Sequence, residues 1–110
     1  MGLTELDGER LDTFLVERYW PGVEEESMRV GEVRLRSVVA RLEREGNPVR
    51  YLRSLIVPAD GVVFSLFVGR SAVDVAEANR QAEVPFDRIV RAIEIGPPDP
   101  AASGRERRSS

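Results

Sequence analysis

Carboxylates, guanidiniums and phenols at alternate positions are the groups in this sequence that could do chemistry. Glu17 and Tyr19 are two residues apart, and so are Tyr51 and Arg53. Alternate side chains of a β-strand lie on one face of a sheet. We therefore predict a pocket in which a carboxylate and a guanidinium orient a small polar molecule among aromatic walls. The full set of predicted ligand-binding residues is Glu17, Tyr19, Tyr51, Arg53, Ser65, Phe67 and Glu94.

A second interpretation of the same residues is structural. Glu17 and Arg53 would then form an ion pair that holds the register of a protein interface. Glu17 is the one candidate for a catalytic base, and that role requires its burial to outweigh the nearby charge of Arg53.

The residue types that are missing exclude more chemistry than those that are present. The chain of 110 residues has no histidine and no cysteine, so it lacks the commonest general base, the commonest transition-metal ligand, and thiolates. All 16 basic residues are arginine, which excludes the amine chemistry of lysine. We expect no metal site and no cofactor. The run 24–26 of three glutamates is interpreted as helix-start electrostatics and not as a cation site.

Composition indicates one ordinary globular domain. Hydrophobic residues make up 42% and charged residues 32% of the chain, and the net charge is −3. Such a balance gives no positive field for nucleic acid, and no apolar run approaches the roughly 18 residues of a membrane span. The polar start of the chain does not resemble a secretory signal. We expect a cytoplasmic protein without nucleic-acid or membrane partners.

Periodicity predicts six elements between two irregular ends. Period-two runs bounded by proline and glycine predict four strands, and apolar spacings of three, four and seven predict two helices. Ser71 is predicted to cap the second helix and Pro85 to end it, and Gly31 marks a start or kink in the first. Residues 1–10 are predicted to be a flexible arm, 11–96 the domain, and 97–110 a disordered tail. The predicted strands are 11–20, 49–57, 62–68 and 86–95, and the first helix is 23–45.

This order predicts the ferredoxin-like α+β fold, in which two strand–helix–strand halves form a four-stranded antiparallel sheet with both helices on one face. A less regular α+β domain with the same elements is the alternative. The uniformly apolar set of Val62, Phe64, Leu66 and Val68 is predicted to face the helices.

The sheet face away from the helices is also predicted to be largely apolar. It would carry Val63, Ser65 and Phe67 from the third strand, with the charges of Glu17 and Arg53 near its middle. Monomers rarely expose such a patch. A second copy packed sheet against sheet would cover it and form a dimeric α/β barrel with a cavity between the sheets.

Five segments resemble a family of short bacterial domains of unknown function that includes an actinobacterial nickel-binding protein. They are LVERYWPG (15–22), VPAD (57–60), FSLF (64–67), EANRQA (77–82) and PFDRI (85–89). The resemblance implies a ferredoxin-like fold and commonly a dimer. Nickel prefers imidazole or thiolate ligands, which this chain lacks, so nickel binding is not expected. In the most specific segments, Asn79, Asp87 and Arg88 are interpreted as structural.

The leading functional hypothesis is a non-catalytic homodimeric module that binds a small molecule or a partner in or beside the cavity between the sheets. A cofactor-independent monooxygenase or cyclase acting on an aromatic or polyketide-like substrate is the first alternative, with Glu17 as base and Tyr19 and Arg53 stabilising negative charge. A structural interaction domain with a filled interface is the second.

Overall fold

The elements follow the predicted order in the structure, a computed structural model that describes residues 10–97. The predicted arm and tail lie outside these residues, apart from Arg10 and Pro97. A short 3-10 turn, Pro58–Asp60, joins the second and third strands. The elements are β1 (Asp12–Tyr19), α1 (Glu25–Arg44), β2 (Arg50–Val57), β3 (Val62–Gly69), α2 (Ala72–Gln81) and β4 (Arg88–Ala92).

The four strands form one antiparallel sheet in the order β2-β3-β1-β4. The two halves of the chain thus interleave, with β1 and β3 at the centre and β2 and β4 at the edges. Both helices pack on one face, where they share a hydrophobic core with the sheet. This is the predicted ferredoxin-like α+β arrangement.

The helices form where the sequence predicts them, with two corrections. The apolar stripe of α1 is buried, and the backbone N–H of Asp74 donates to Oγ of Ser71 at 3.2 Å, as predicted for the cap of α2. Gly31 does not start α1, which begins at Glu25 and continues through this glycine. A Cβ there would lie 3.5 Å from Cγ2 of Val84, an ordinary van der Waals contact, so the packing against the segment after α2 has room for alanine. The second correction concerns the end of α2. This helix ends at Gln81, so it is already over before Pro85.

The prediction of which face of β3 meets the helices is wrong. Val63, Ser65 and Phe67 are fully buried against the helices, and the predicted helix-facing set lies on the opposite face. Both faces of β3 are apolar. Alternation therefore assigns its residues to two faces but does not show which face packs against the helices. A change of one residue in phase exchanges the faces.

A β-bulge in β2 moves Tyr51 away from its predicted position. The register shifts between Tyr51 and Arg53, with Leu52 as the additional residue. Tyr51 consequently faces the helices and is only 7% exposed, whereas Arg53 and Leu55 keep the opposite face. Bulges of this kind break the simple alternation on which the sequence prediction relied.

No helix within residues 10–97 is long and apolar enough to cross a membrane.

Gly61 connects the 3-10 turn to β3 and is expected to tolerate no side chain. Its φ is +62°, and an added Cβ would lie 3.1 Å from Cα of Pro21. Gly61→Ala should destabilise the protein by about 2 kcal/mol or more, combining left-handed backbone strain with crowding against a neighbouring backbone. Gly46→Ala, at a φ of +88° with nothing within 4 Å, should lose about 1 kcal/mol from strain alone. Equal losses in urea denaturation would contradict the crowding.

Candidate functional site

The sheet face away from the helices, called the open face below, is mainly apolar. Directly paired residues of antiparallel strands share a face, so the pairs Leu15–Leu66, Leu15–Val90 and Leu55–Phe64 define it. Tyr19 and Leu55 on this face are 68% and 62% exposed. The residues of the open face are Thr13, Leu15, Glu17, Tyr19, Arg50, Arg53, Leu55, Val57, Val62, Phe64, Leu66, Val68, Arg88, Val90 and Ala92.

Two ion pairs cross this apolar surface. Arg88 donates to both carboxylate oxygens of Glu17, at 2.9 and 3.3 Å, because the two residues are directly paired between β1 and β4. Arg53 on β2 contacts Glu94 at 3.3 Å, although Glu94 follows the opposite edge strand. The predicted pairing of Glu17 with Arg53 is therefore not formed, and each has a different partner.

The predicted ligand-binding residues are divided between the two faces of the sheet. Glu17, Tyr19 and Arg53 lie on the open face as predicted, with Glu94 beside Arg53. Their exposure leaves their predicted role in ligand binding open to test.

The placement of Tyr51, Ser65 and Phe67 on that face is wrong. All three are buried in the helix-side core. The cause is the reversed phase of β3 for Ser65 and Phe67, and the bulge for Tyr51.

The polar residues on the helix side form a network around Arg18, which sequence reasoning missed. The guanidinium of Arg18 is 2% exposed. Its Nη1 donates to the backbone oxygen of Pro85 at 2.8 Å, and its Nη2 donates to Oδ1 of Asn79 at 2.8 Å and to Oγ of Ser65 at 3.2 Å. One signal was available in the sequence, since Arg18 continues the alternation of Phe14 and Val16, both of which face the core.

Arg18 is a buried cation whose recorded partners are all neutral. Within residues 10–97 no carboxylate pairs with it, and its Nε has no hydrogen-bond partner there. Burial lowers the pKa of Arg18 to about 10, which still leaves the guanidinium protonated at pH 7. Carbonyl and amide oxygens thus accept the hydrogen bonds that water would otherwise accept from the guanidinium.

Asn79, Asp87 and Arg88, which the sequence analysis interprets as structural, each make contacts within the fold. Asn79 accepts from Arg18 and donates its own amide to the backbone oxygen of Val75 at 2.8 Å. Oδ2 of Asp87 accepts from the backbone N–H of Tyr19 at 2.6 Å, which holds the start of β4 against the end of β1. Arg88 pairs with Glu17 across strands.

A groove of about 570 Å³ lies at the edge of the sheet, between the edge strand β2 and the helix α1. Tyr51 and Ser54 line it from the strand. From the helix come Met28 and two pairs of opposite charge one turn apart, Glu25–Arg29 and Glu32–Arg36. The guanidinium of Arg36 lies 5.0 Å from the centre of the Tyr51 ring, a cation–π distance. No residue pattern predicts this groove, because Tyr51 faces it only as a result of the bulge.

The donor groups of residues 10–97 form no metal centre. No group of three or more histidine, cysteine, aspartate or glutamate side chains there is arranged to hold an ion. In the glutamate run, Glu25 and Glu26 occupy the first turn of α1, where the helix dipole stabilises carboxylates.

Comparison with known proteins supports the fold. No protein-family model matches the sequence, and no curated protein does. Among solved structures, SCO4226 from Streptomyces coelicolor A3(2) is similar, with a TM-score of 0.60 and 19% sequence identity over 76% of this chain and 99% of that one. At this identity the likeness is one of fold, that of a small bacterial ferredoxin-like domain.

Removing the amide of Asn79 should destabilise the protein strongly. Asn79→Ala deprives the buried guanidinium of Arg18 of one acceptor, so we expect a loss of about 2–3 kcal/mol in the free energy of unfolding, measured in urea. Asn47→Ala is the control, because the side chain of Asn47 also accepts from an arginine, Arg70, but at the exposed surface. That change should cost about 0.5 kcal/mol. Losses of the same size in both variants would show that the buried guanidinium does not depend on Asn79.

The phenol of Tyr51 should lose its proton at a higher pH than an exposed tyrosine does. Burial raises the pKa of its phenol above 10, against the smaller lowering effect of its hydrogen bond to Ser54. The chain has two tyrosines, so Tyr19→Phe leaves Tyr51 as the only phenol. The absorbance of its phenolate at alkaline pH should rise with a midpoint above pH 10, while circular dichroism shows that the fold persists. A folded variant with a midpoint at or below 10 would rule out the buried phenol.

Because the folded state holds this proton longer than the unfolded state, the contribution of Tyr51 to stability is present below pH 10 and lost as pH rises through its folded pKa.

Proposed function

We propose that the protein is a non-catalytic homodimeric binding module, in which two copies associate through their open faces and hold a small organic molecule between the sheets. The observation that carries this proposal is the apolar open face, which runs across all four strands. Leu15, Phe64 and Leu66 occupy its centre, on the two central strands. A contiguous apolar surface of this extent is uncommon on a monomer, and an identical face is the simplest cover.

The charges of the open face support self-association over a charged partner. Glu17 is neutralised by Arg88, and Arg53 by Glu94, so the charges nearest the middle of each face are balanced, and Arg50 adds one charge at the end of β2. Two faces with apolar, charge-balanced centres approach each other without the like-charge repulsion that would oppose a dimer of uniformly charged surfaces. In a two-fold arrangement both ion pairs are supplied by each copy.

The ion pairs also provide the polar groups of the proposed ligand site. Once covered, their donors and acceptors lie in a medium of lower dielectric, where hydrogen bonds to a ligand strengthen. The exposed ring of Tyr19 lies on the same face. Glu17 already accepts two hydrogen bonds from Arg88, an arrangement that favours binding and orientation over proton abstraction, so the enzymatic alternative is not proposed.

A charge placed at the centre of the open face should prevent association. Leu66→Glu puts two unpaired carboxylates into a two-fold interface, and the dimer dissociation constant should rise at least about 100-fold. Val33→Glu is the control, because Val33 is 68% exposed on the helix side of the molecule. Analytical ultracentrifugation at micromolar concentration should find dimers for the wild type and for Val33→Glu, and monomers for Leu66→Glu.

A wild-type protein that is monomeric in this experiment would contradict the proposal. Native mass spectrometry of the same samples tests the ligand: a small additional mass is expected on the dimer and not on the monomeric variant. Dimers without such an additional mass would contradict ligand binding and favour the alternative of a structural interaction domain.

A further inference from the structure

We propose a second, independent binding site for a small organic carboxylate in the groove between β2 and α1, with the hydroxyl of Tyr51 as its hydrogen-bond donor. The groove lies at the sheet edge, where Arg53 and Leu55 of the open face also line it, and it does not require a dimer. Its volume of about 570 Å³ is in the range of small-molecule sites.

A chain of hydroxyls connects this groove with the buried guanidinium of Arg18. Arg18 Nη2 lies 3.2 Å from Oγ of Ser65, which lies 2.7 Å from Oγ of Ser54, which in turn lies 2.6 Å from the hydroxyl of Tyr51. Tyr51 and Ser54 line the groove, whereas Ser65 is fully buried.

Arg18 determines the direction in which this chain donates. A guanidinium has donors only, so Ser65 must accept from it. Ser65 has a single proton, no access to water, and no recorded acceptor within residues 10–97 other than Ser54. Ser54 therefore accepts from Ser65 and donates its own proton to the oxygen of Tyr51.

The proton of Tyr51 is then left without an acceptor. The side chain is 7% exposed, and the groove is the space that it lines. A nearly buried O–H donor at the wall of a groove requires an acceptor from whatever occupies the groove. Because burial raises the pKa of Tyr51, the phenol retains this proton at neutral pH.

The charges around the groove favour an anionic acceptor. The two charge pairs of α1 neutralise themselves, and Arg53 is paired with Glu94. Arg18, by contrast, has no carboxylate partner within residues 10–97. A ligand carboxylate bound to Tyr51 would supply the missing counter-charge through the hydroxyl chain, with Arg36 beside it over the Tyr51 ring. Apolar side chains of the groove, Met28 and Ile56 among them, would contact the body of the ligand.

Benzoate is the probe for this site, and benzamide is its neutral counterpart. In two-dimensional amide NMR of the full chain, benzoate should shift signals of β2 and of the first half of α1. Its affinity should fall about tenfold or more in Tyr51→Phe, which keeps the ring and removes the donor. Ser54→Ala, which breaks the chain without touching the ring, should cause a loss in the same direction. Tyr19→Phe, on the open face, should bind as the wild type does.

Three results would overturn the proposal. These are unchanged benzoate affinity in Tyr51→Phe with a native spectrum, equal affinity for benzamide, and shifts confined to β1, β3 and β4. The monomeric variant Leu66→Glu separates this site from the proposed dimer function. Benzoate binding should persist in it, so a failure of dimerisation and a failure of the groove site give different results.

Discussion

The interaction on which the rest of the structure depends is the buried guanidinium of Arg18. It extends from β1 to the side chains of Ser65 on β3 and Asn79 on α2, and to the backbone oxygen of Pro85 after that helix. It thereby joins the two central strands to the second helix and to the segment that leads into β4. A buried cation is costly unless it is hydrogen-bonded, so the neighbours that accept from Arg18 have little freedom to move independently. The same charge orients the hydroxyls of Ser65, Ser54 and Tyr51, and so relates the core to the groove at the sheet edge.

The two faces of the sheet differ in the burial and pairing of their polar side chains. On the helix side, polar side chains are few, buried and connected to one another. On the open face, the ion pairs Glu17–Arg88 and Arg53–Glu94 lie within an apolar surface and remain exposed. The first arrangement specifies one packing of the core. The second has the composition of an interface, with local neutrality and apolar residues at the centre, which is the basis for the proposed dimer.

Much of the fold was predictable because periodicity and turn chemistry agreed. The strand endings near Pro21 and Gly61, the cap at Ser71 and the apolar stripe of α1 each predicted their element, and the order of elements left few topologies open. The candidate site was harder to predict from the sequence. Glu17 and Arg53 were placed on the correct face, but their partners depended on strand pairing. Arg88 is opposite Glu17 only because β4 pairs with β1, a contact between residues 71 positions apart.

The sequence by itself determined the element order, the helix faces and the chemistry that is excluded, since these follow from residue types and from spacing along the chain. Tertiary structure decided which apolar face of β3 lies inside, where Tyr51 points, and that an arginine belongs to the core. Alternation has two equivalent phases when both faces are apolar, and a bulge changes the phase within a strand. Whether a charge can be buried depends on acceptors such as Asn79 and Pro85, which come from distant parts of the chain and meet Arg18 only when the sheet and helices have assembled.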